Sequence, residues 1–240
     1  MNILAIGAHP DDVEEYCSGT LAKFAAQGHK VFTATTTNGN IGSATLPMEE
    51  IARIRKEEAR QAAAVIGAEY ICLDYDDEMF FESREARIAL IDLVRYCKPD
   101  LILTHYPHDY NPDHELTSKM VNDIAVMIPI AKIPTKNPPC EKIPLLAYFE
   151  PVLSIDFNPT EYVDITDYMD KKREMCSKHK SQVQWMADNY KEQIGDKQKN
   201  YFDDIEIIAR FRGLQCGCEY AEGFIMARNA YRITTKRVLP

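Results

Sequence analysis

The chain has 240 residues, 45% of them hydrophobic and 27% charged, a size and balance that fit one globular domain spanning 1–240. A formal net charge of −9 argues against a general affinity for nucleic acid or anionic membrane, since both recruit Lys and Arg. No apolar run approaches the roughly 20 residues that cross a bilayer, and the apolar start lacks the basic opening and cleavage site of a signal peptide, so a cytoplasmic location is expected.

Residues 3–6 read as a buried strand that ends abruptly in His9-Pro10-Asp11-Asp12. Residues 13–27 carry apolar positions at helical spacing (Tyr16, Leu21, Phe24, Ala25), with Gly28 as the stop. The β-branched stretch 31–36 is strand-like. A polar loop over 37–47 leads to a helix over 48–66 that ends at Gly67. A short strand at 70–73 runs into an acidic loop (Asp74, Asp76, Asp77, Glu78), which is read as solvated. Residues 84–97 form a helix and 101–104 another apolar strand. Prolines at 129, 134, 138, 139 and 144 mark a long surface loop. A strand at 145–149 and helices at 168–185 and 201–212 complete the pattern. Trp185 and Tyr190 are read as core packing, His29 and His179 as structural residues without partners.

Strands alternating with helices predict an α/β, Rossmann-like, mostly parallel sheet flanked by helices in a single domain. Seven scattered cysteines fit free thiols of a reducing compartment. The close pair Cys216 and Cys218 lacks the second pair of a structural zinc site.

Chemistry concentrates where strands end. In open parallel sheets, ligands bind beyond the carboxyl ends of the strands. His9, Asp11 and Asp12 follow the first strand, and His105, His108, Asp109, Asn111, Asp113 and His114 follow the strand that ends at Thr104. Both loops fall on one edge of the predicted sheet. A buried strand rarely carries so many ionisable groups without partners, so the cluster suits a metal and a general base. As an isolated turn, His-Pro-Asp-Asp would instead place an Asp as N-cap of the next helix.

Ala-His9-Pro-Asp11-Asp12-Val-Glu14, with Pro112-Asp113-His114 in the later loop, resembles the zinc-dependent LmbE/PIG-L de-N-acetylase family. Gly19-Thr20-Leu21, Arg55-x-x-Glu58-Ala59 and Glu219-Tyr-Ala-Glu222-Gly-Phe224 add weaker matches. The resemblance implies that His9, Asp12 and His114 bind Zn2+ (or another divalent metal) and that Asp11 is the general base. Catalytic zinc takes three protein ligands, keeps a position for water and lowers that water's pKa to roughly 7. The sequence departs from the family at Asn111, where sugar deacetylases usually carry a histidine. An asparagine can donate to an oxyanion but cannot be a general acid, so Asp11 is expected to return the proton to the leaving amine, with His108 or His105 as alternative helpers. Asp113 is expected to orient a neighbouring group, Arg55 and His108 to contact substrate. Glu222 is a candidate subunit contact.

The function so implied is removal of an N-acetyl or similar acyl group from an amino sugar or its conjugate, with that small molecule as partner and a homo-oligomer (trimer or hexamer) as the assembly. The alternative is a metal-dependent hydratase (lyase) of an unsaturated dicarboxylic acid within the same superfamily. A nucleotide-binding module is disfavoured, because the first loop lacks Gly-x-Gly-x-x-Gly and its carboxylates repel phosphate.

Overall fold

The first strand, β1 (Asn2–Gly7), is apolar on both faces, and in the computed structural model, which describes residues 1–186, 201–228 and 233–240, both faces are buried. Ile3 and Ala5 join one core with Val13, Cys17 and Leu21 of α1 (Asp12–Ala26). Leu4 and Ile6 join a second core with apolar residues of α3 (Arg84–Cys97) and α4 (Pro112–Asp123). A strand buried on both sides belongs inside a parallel sheet. Accordingly β1 lies between β2 (Lys30–Thr37) and β4 (Leu101–Thr104) and runs parallel to both.

The other strands are β3 (Glu69–Tyr75), β5 (Leu145–Phe149), β6 (Glu161–Asp164) and β7 (Ala221–Met226). They form a seven-stranded sheet in the order β3-β2-β1-β4-β5-β7-β6. Pairing is parallel from β3 through β5 and antiparallel at β5–β7 and β7–β6. Because the chain steps outward from β1 to β3 on one side and from β4 to β5 on the other, the switch point lies between β1 and β4, where a parallel sheet opens a binding crevice. The expected Rossmann-like α/β architecture is the one observed.

The departures are local. The antiparallel strands β6 and β7 are absent from the sequence expectation: β6 is four residues long, and β7 carries the charged Glu222 as its second residue. The helix expected over 168–185 divides into α5 (Met169–Cys176) and a second helical stretch over 180–186, with a break at 177–179. Helix α6 (Tyr201–Cys216) continues past the expected end. Trp185 is 40% exposed rather than core, and Tyr190 lies outside the described residues. The seven cysteines are unpaired, Cys216 exposed, with its sulfur 3.6 Å from that of Cys218.

Glu222 is 4% exposed and pairs at 2.6 Å with the equally buried Lys172 of α5, so it is an interior residue and not a surface contact. Its carboxylate also accepts the backbone N–H groups of Gly19 (3.0 Å) and Thr20 (2.7 Å) from within α1, while Lys172 Nζ donates to the Glu15 carbonyl at 2.6 Å. The Glu15 carbonyl and the Gly19 amide are partners of each other in α-helical geometry, and α1 runs unbroken through both, so the buried ion pair adds a second partner to each.

Among the described residues, no helix is long and apolar enough to cross a membrane.

Candidate metal centre

The carboxyl ends of β1 and β4 deliver the two loops expected from the sequence, and the helices that begin at the ends of those loops fix their geometry. Pro112 occupies the first turn of α4, where its missing N–H is not needed. The Asn111 side-chain oxygen caps that helix, accepting N–H from Asp113 (2.8 Å) and His114 (3.3 Å). His114 is thereby held on the first turn of α4, facing the loop that carries His9 and Asp12.

Three donor atoms converge there. His9 Nδ1 lies 3.1 Å from His114 Nε2, and His114 Nε2 lies 3.3 Å from Asp12 Oδ1. The second Asp12 oxygen is 3.6 Å from His9 Nδ1. Tetrahedral coordination with bonds of about 2.0–2.1 Å separates ligand atoms by about 3.3 Å, so the spacing fits a divalent ion such as zinc, and these residues form a His/Asp/His group able to hold one. Electrostatics agree. Burial alone would depress His114, but Asp12 and Asp109 outweigh it and raise its pKa to about 9. His9 is likewise held well above its ordinary value, burial being outweighed by Asp113, Asp12 and Asp77. Asp12 lies well below the usual carboxylate range, because His114 and His105 overcome its burial. The pocket attracts positive charge, whether as protons on its histidines or as a dication in their place.

Each candidate ligand histidine meets a carboxylate at its other nitrogen. Asp77 Oδ1 is 2.9 Å from His9 Nε2, and Asp109 Oδ2 is 3.1 Å from His114 Nδ1. Carboxylate–histidine pairs of this kind fix ring orientation and raise ligand basicity. Neither aspartate is singled out by the sequence reading. Asp77 is 5% exposed, so the acidic loop is solvated only in part. The signal available was positional: that loop follows β3 on the same sheet edge.

Asp11 stands apart from its neighbour. Its backbone has φ 141° and ψ −28°, a conformation that costs a non-glycine residue of order 1–3 kcal/mol. Its side chain makes no capping hydrogen bond to α1, so the N-cap reading of His-Pro-Asp-Asp is not what the fold uses. Instead Asp11 Oδ2 accepts Arg55 Nη2 at 3.1 Å. Burial pushes the Asp11 carboxyl up, and Arg55 pulls it part of the way back. Arg55 belongs to α2 (Met48–Ala64), is 4% exposed, and also reaches the Pro10 carbonyl (2.9 Å) and Asp77 Oδ2 (3.5 Å). Asp113 Oδ2 accepts the Glu78 N–H at 2.9 Å and lies 3.5 Å from His9 Nε2, in an orienting position.

Asn111 has work the sequence reading did not give it. Besides capping α4, its amide nitrogen donates to Glu78 Oε1 at 2.6 Å. His105 is fully buried, 3.1 Å from Asp12 Oδ2, and burial together with the charge of His114 pushes its pKa down to about 4. It is a neutral neighbour of Asp12. His108 is exposed, its ring edge-on to Tyr106 (centroids 5.5 Å apart) rather than within the His9–Asp12–His114 cluster. His179, taken as partnerless, is fully buried with Nε2 3.2 Å from Glu14 Oε2. The break at 177–179, which helical periodicity does not reveal, turns it inward.

The fold and the cluster together define an α/β enzyme with a His/Asp pocket fit for a divalent metal at its switch point. The sequence profile described as PIG-L, GlcNAc-PI de-N-acetylase, matches residues 4–125, and the chain belongs to that family. Among its relatives is the diacetylchitobiose deacetylase of Thermococcus kodakarensis, 27% identical over 92% of this chain and 81% of that one. Another is the 4-oxalmesaconate hydratase of Pseudomonas putida, 28% identical over 70% of this chain and 69% of that one. The structure of the N,N'-diacetylchitobiose deacetylase from Pyrococcus horikoshii, complexed with its inhibitor MPG, superposes with a TM-score of 0.78 at 25% identity, covering 94% of this chain and 83% of the other.

Proposed function

We propose that this protein is a zinc-dependent hydrolase that removes an N-acetyl or similar N-acyl group from an amino sugar or its conjugate. The observation that carries the reading is the convergence of His9 Nδ1, Asp12 Oδ1 and His114 Nε2 at ligand spacing, beside a carboxylate, Asp11, held on a strained backbone. Family membership and relatives named as deacetylases supply the amide and the amino sugar.

His9, Asp12 and His114 would hold the metal, which when bound supplies Lewis-acid activation of a water at neutral pH. Asp11 accepts the proton that this water loses and returns it to the departing amine, so that water and amide leave as carboxylic acid and amine. Arg55 keeps the Asp11 carboxylate in place. Asp113 and Asp77 orient His9, and Asp109 orients His114. Asn111 serves the site as the cap that places His114, rather than as an oxyanion donor. His108 belongs to the substrate rim, and His108→Ala is expected to raise KM while leaving kcat unchanged.

The hydratase relative keeps a second reading in play, hydration of an unsaturated dicarboxylate. Such a substrate calls for cations free to meet its two carboxylates, whereas the Arg55 guanidinium is committed to Asp11 and Asp77. Amine release from a panel of N-acetylated sugars, with zinc-loaded wild type against Asp11→Asn and His114→Ala, tests the choice. Metal-dependent release lost in both variants supports the deacylase. One equivalent of bound zinc with no amide cleavage, and turnover of unsaturated diacids, transfers the case to the hydratase. A cytoplasmic location, consistent with the unpaired cysteines, and a trimeric or hexameric assembly belong to the same proposal. Light scattering that gives a monomer removes the latter.

A further inference from the structure

The segment after α5 carries no candidate residue in the sequence reading, yet it touches the surroundings of Asp11 from three sides. His179 is fully buried against Glu14, on the first turn of α1. Two residues on, Ser181 engages Glu58 of α2 with both its groups: the backbone N–H donates to Oε1 at 2.9 Å and the hydroxyl to Oε2 at 2.6 Å. Glu58 lies one helical turn beyond Arg55, on the same face of α2. Gln182 Nε2 then donates to the Gly42 carbonyl at 3.1 Å, in the loop that follows β2.

That loop wraps the Arg55 guanidinium. A Cβ on Gly39, whose φ is +69°, would stand 2.6 Å from Arg55 Nη1 and 2.7 Å from Cζ. A Cβ on Gly42 would stand 2.6 Å from the same Nη1 and 3.0 Å from Gln182 Nε2. Arg55 is thus enclosed by a loop with no room for a Cβ at positions 39 and 42, and the 179–182 turn is tied both to that loop and to the helix from which Arg55 projects.

We infer that Ser181 and Gln182, on the turn anchored by His179, are positioning residues that hold the Arg55 guanidinium against the Asp11 carboxylate. The turn pins α2 through Glu58 and the glycine loop through Gly42, leaving the guanidinium one place to lie. A backbone as strained as that of Asp11 persists only where its surroundings over-determine it, and the Arg55 contacts to Asp11 Oδ2 and the Pro10 carbonyl are such a constraint. For catalysis the inference rests on the hydrolase reading. For the placement of Arg55 it does not, and the test separates the two.

The first readout is hydrogen exchange at the Arg55 Nε–H, followed by 15N NMR on the metal-free full-length protein and assigned by the loss of the signal in Arg55→Lys. Ser181→Ala and Gln182→Ala are expected to exchange at least about tenfold faster than wild type, and Ser181→Thr, which keeps the hydroxyl, within about twofold. Gln182→Ala serves alone should Ser181→Ala not fold. The second readout is turnover by the zinc-loaded protein: kcat falls about tenfold or more in both alanine variants, with KM and bound zinc within about twofold, and recovers in Ser181→Thr. Unchanged exchange overturns the inference, as does a loss of activity that tracks KM or zinc content instead of kcat. Faster exchange in a series whose wild type cleaves no N-acyl sugar leaves the positioning role standing and refutes the hydrolase reading.

Discussion

Replacing Arg55 with methionine keeps much of the side chain's volume and removes its charge, taking the main counter-charge from Asp11 and leaving Asp77 with His9 as its ion-pair partner. Both carboxylates are at least nine-tenths buried, at 8% and 5% exposure, and the guanidinium reaches Asp11 at 3.1 Å and Asp77 at 3.5 Å. Removing one partner of a buried ion pair costs about 3–5 kcal/mol, because an uncompensated charge stays behind. In a chain of this size 1 kcal/mol moves Tm by about 2–4 °C, so Arg55→Met should lower the Tm of the metal-free protein by about 6–20 °C at pH 8. The dependence on pH has a definite sign. Burial already holds the Asp11 carboxyl above its ordinary value, and Arg55 is the main opposing influence. Without Arg55 that pKa rises further above the unfolded value. A carboxyl shifted in this direction destabilises the fold where it must ionise, above the unfolded pKa, and the penalty fades as pH falls and the group is protonated in both states. The wild type–variant gap should therefore be widest at pH 8 and shrink toward pH 4. Calorimetric scans of both proteins with chelator present measure it. A gap under about 2 °C at pH 8, or one that does not narrow on acidification, refutes the account of Arg55 as the counter-charge.

Metal uptake should release protons, because His114, at about 9, and His9, also raised, are protonated in the metal-free pocket at neutral pH. Titration calorimetry in buffers of different ionisation enthalpy should show that release, and affinity should tighten several-fold per pH unit from pH 6.5 to 8.5; a pH-independent affinity contradicts it. The metal-free protein should move oppositely: the stability His114 gains from Asp12 and Asp109 is complete below its unfolded pKa and is lost as pH rises through about 9. Asn111→Ala should cost about 1 kcal/mol through the lost cap of α4, and Asn111→Ser should restore stability and keep kcat within about tenfold. A loss of about a hundredfold or more in Asn111→Ser at full zinc content would return Asn111 to the oxyanion.

How much of the molecule was readable beforehand depends on where each feature gets its partners. β1, β2 and β4 are apolar and β-branched runs whose burial is a property of their own residues, so the sheet and its switch point were legible. That the loops after β1 and β4 meet at one edge was legible from the alternation of strands and helices, while the choice of His9, Asp12 and His114 within them came from the resemblance to the family. Asp109 was visible in the second loop but without a task, and Asp77 was not legible, since its partners, His9 and Arg55, come from other segments that local sequence does not encode. His179 was hidden by the break at 177–179, and β7 by Glu222, whose charge is matched by a lysine fifty positions earlier in the chain. The capping of α4 by Asn111 was legible in principle from the Asn-Pro order at the start of that helix, but the motif drew the reading toward catalysis alone.

The buried Glu222–Lys172 pair against α1 reaches further than packing. If β7 peeled away, it would take the Glu222 carboxylate with it, leaving Lys172 charged in the core and removing the charged acceptor that two peptide N–H groups of α1 share. Each such loss costs about 1–3 kcal/mol, and more for the charged group. Helix α1, with Asp12 on its first turn, therefore loses stability when the antiparallel edge of the sheet opens. The edge and the pocket, three strands apart in the sheet order, are thereby coupled, and fraying at one should loosen the placement of Asp12 at the other.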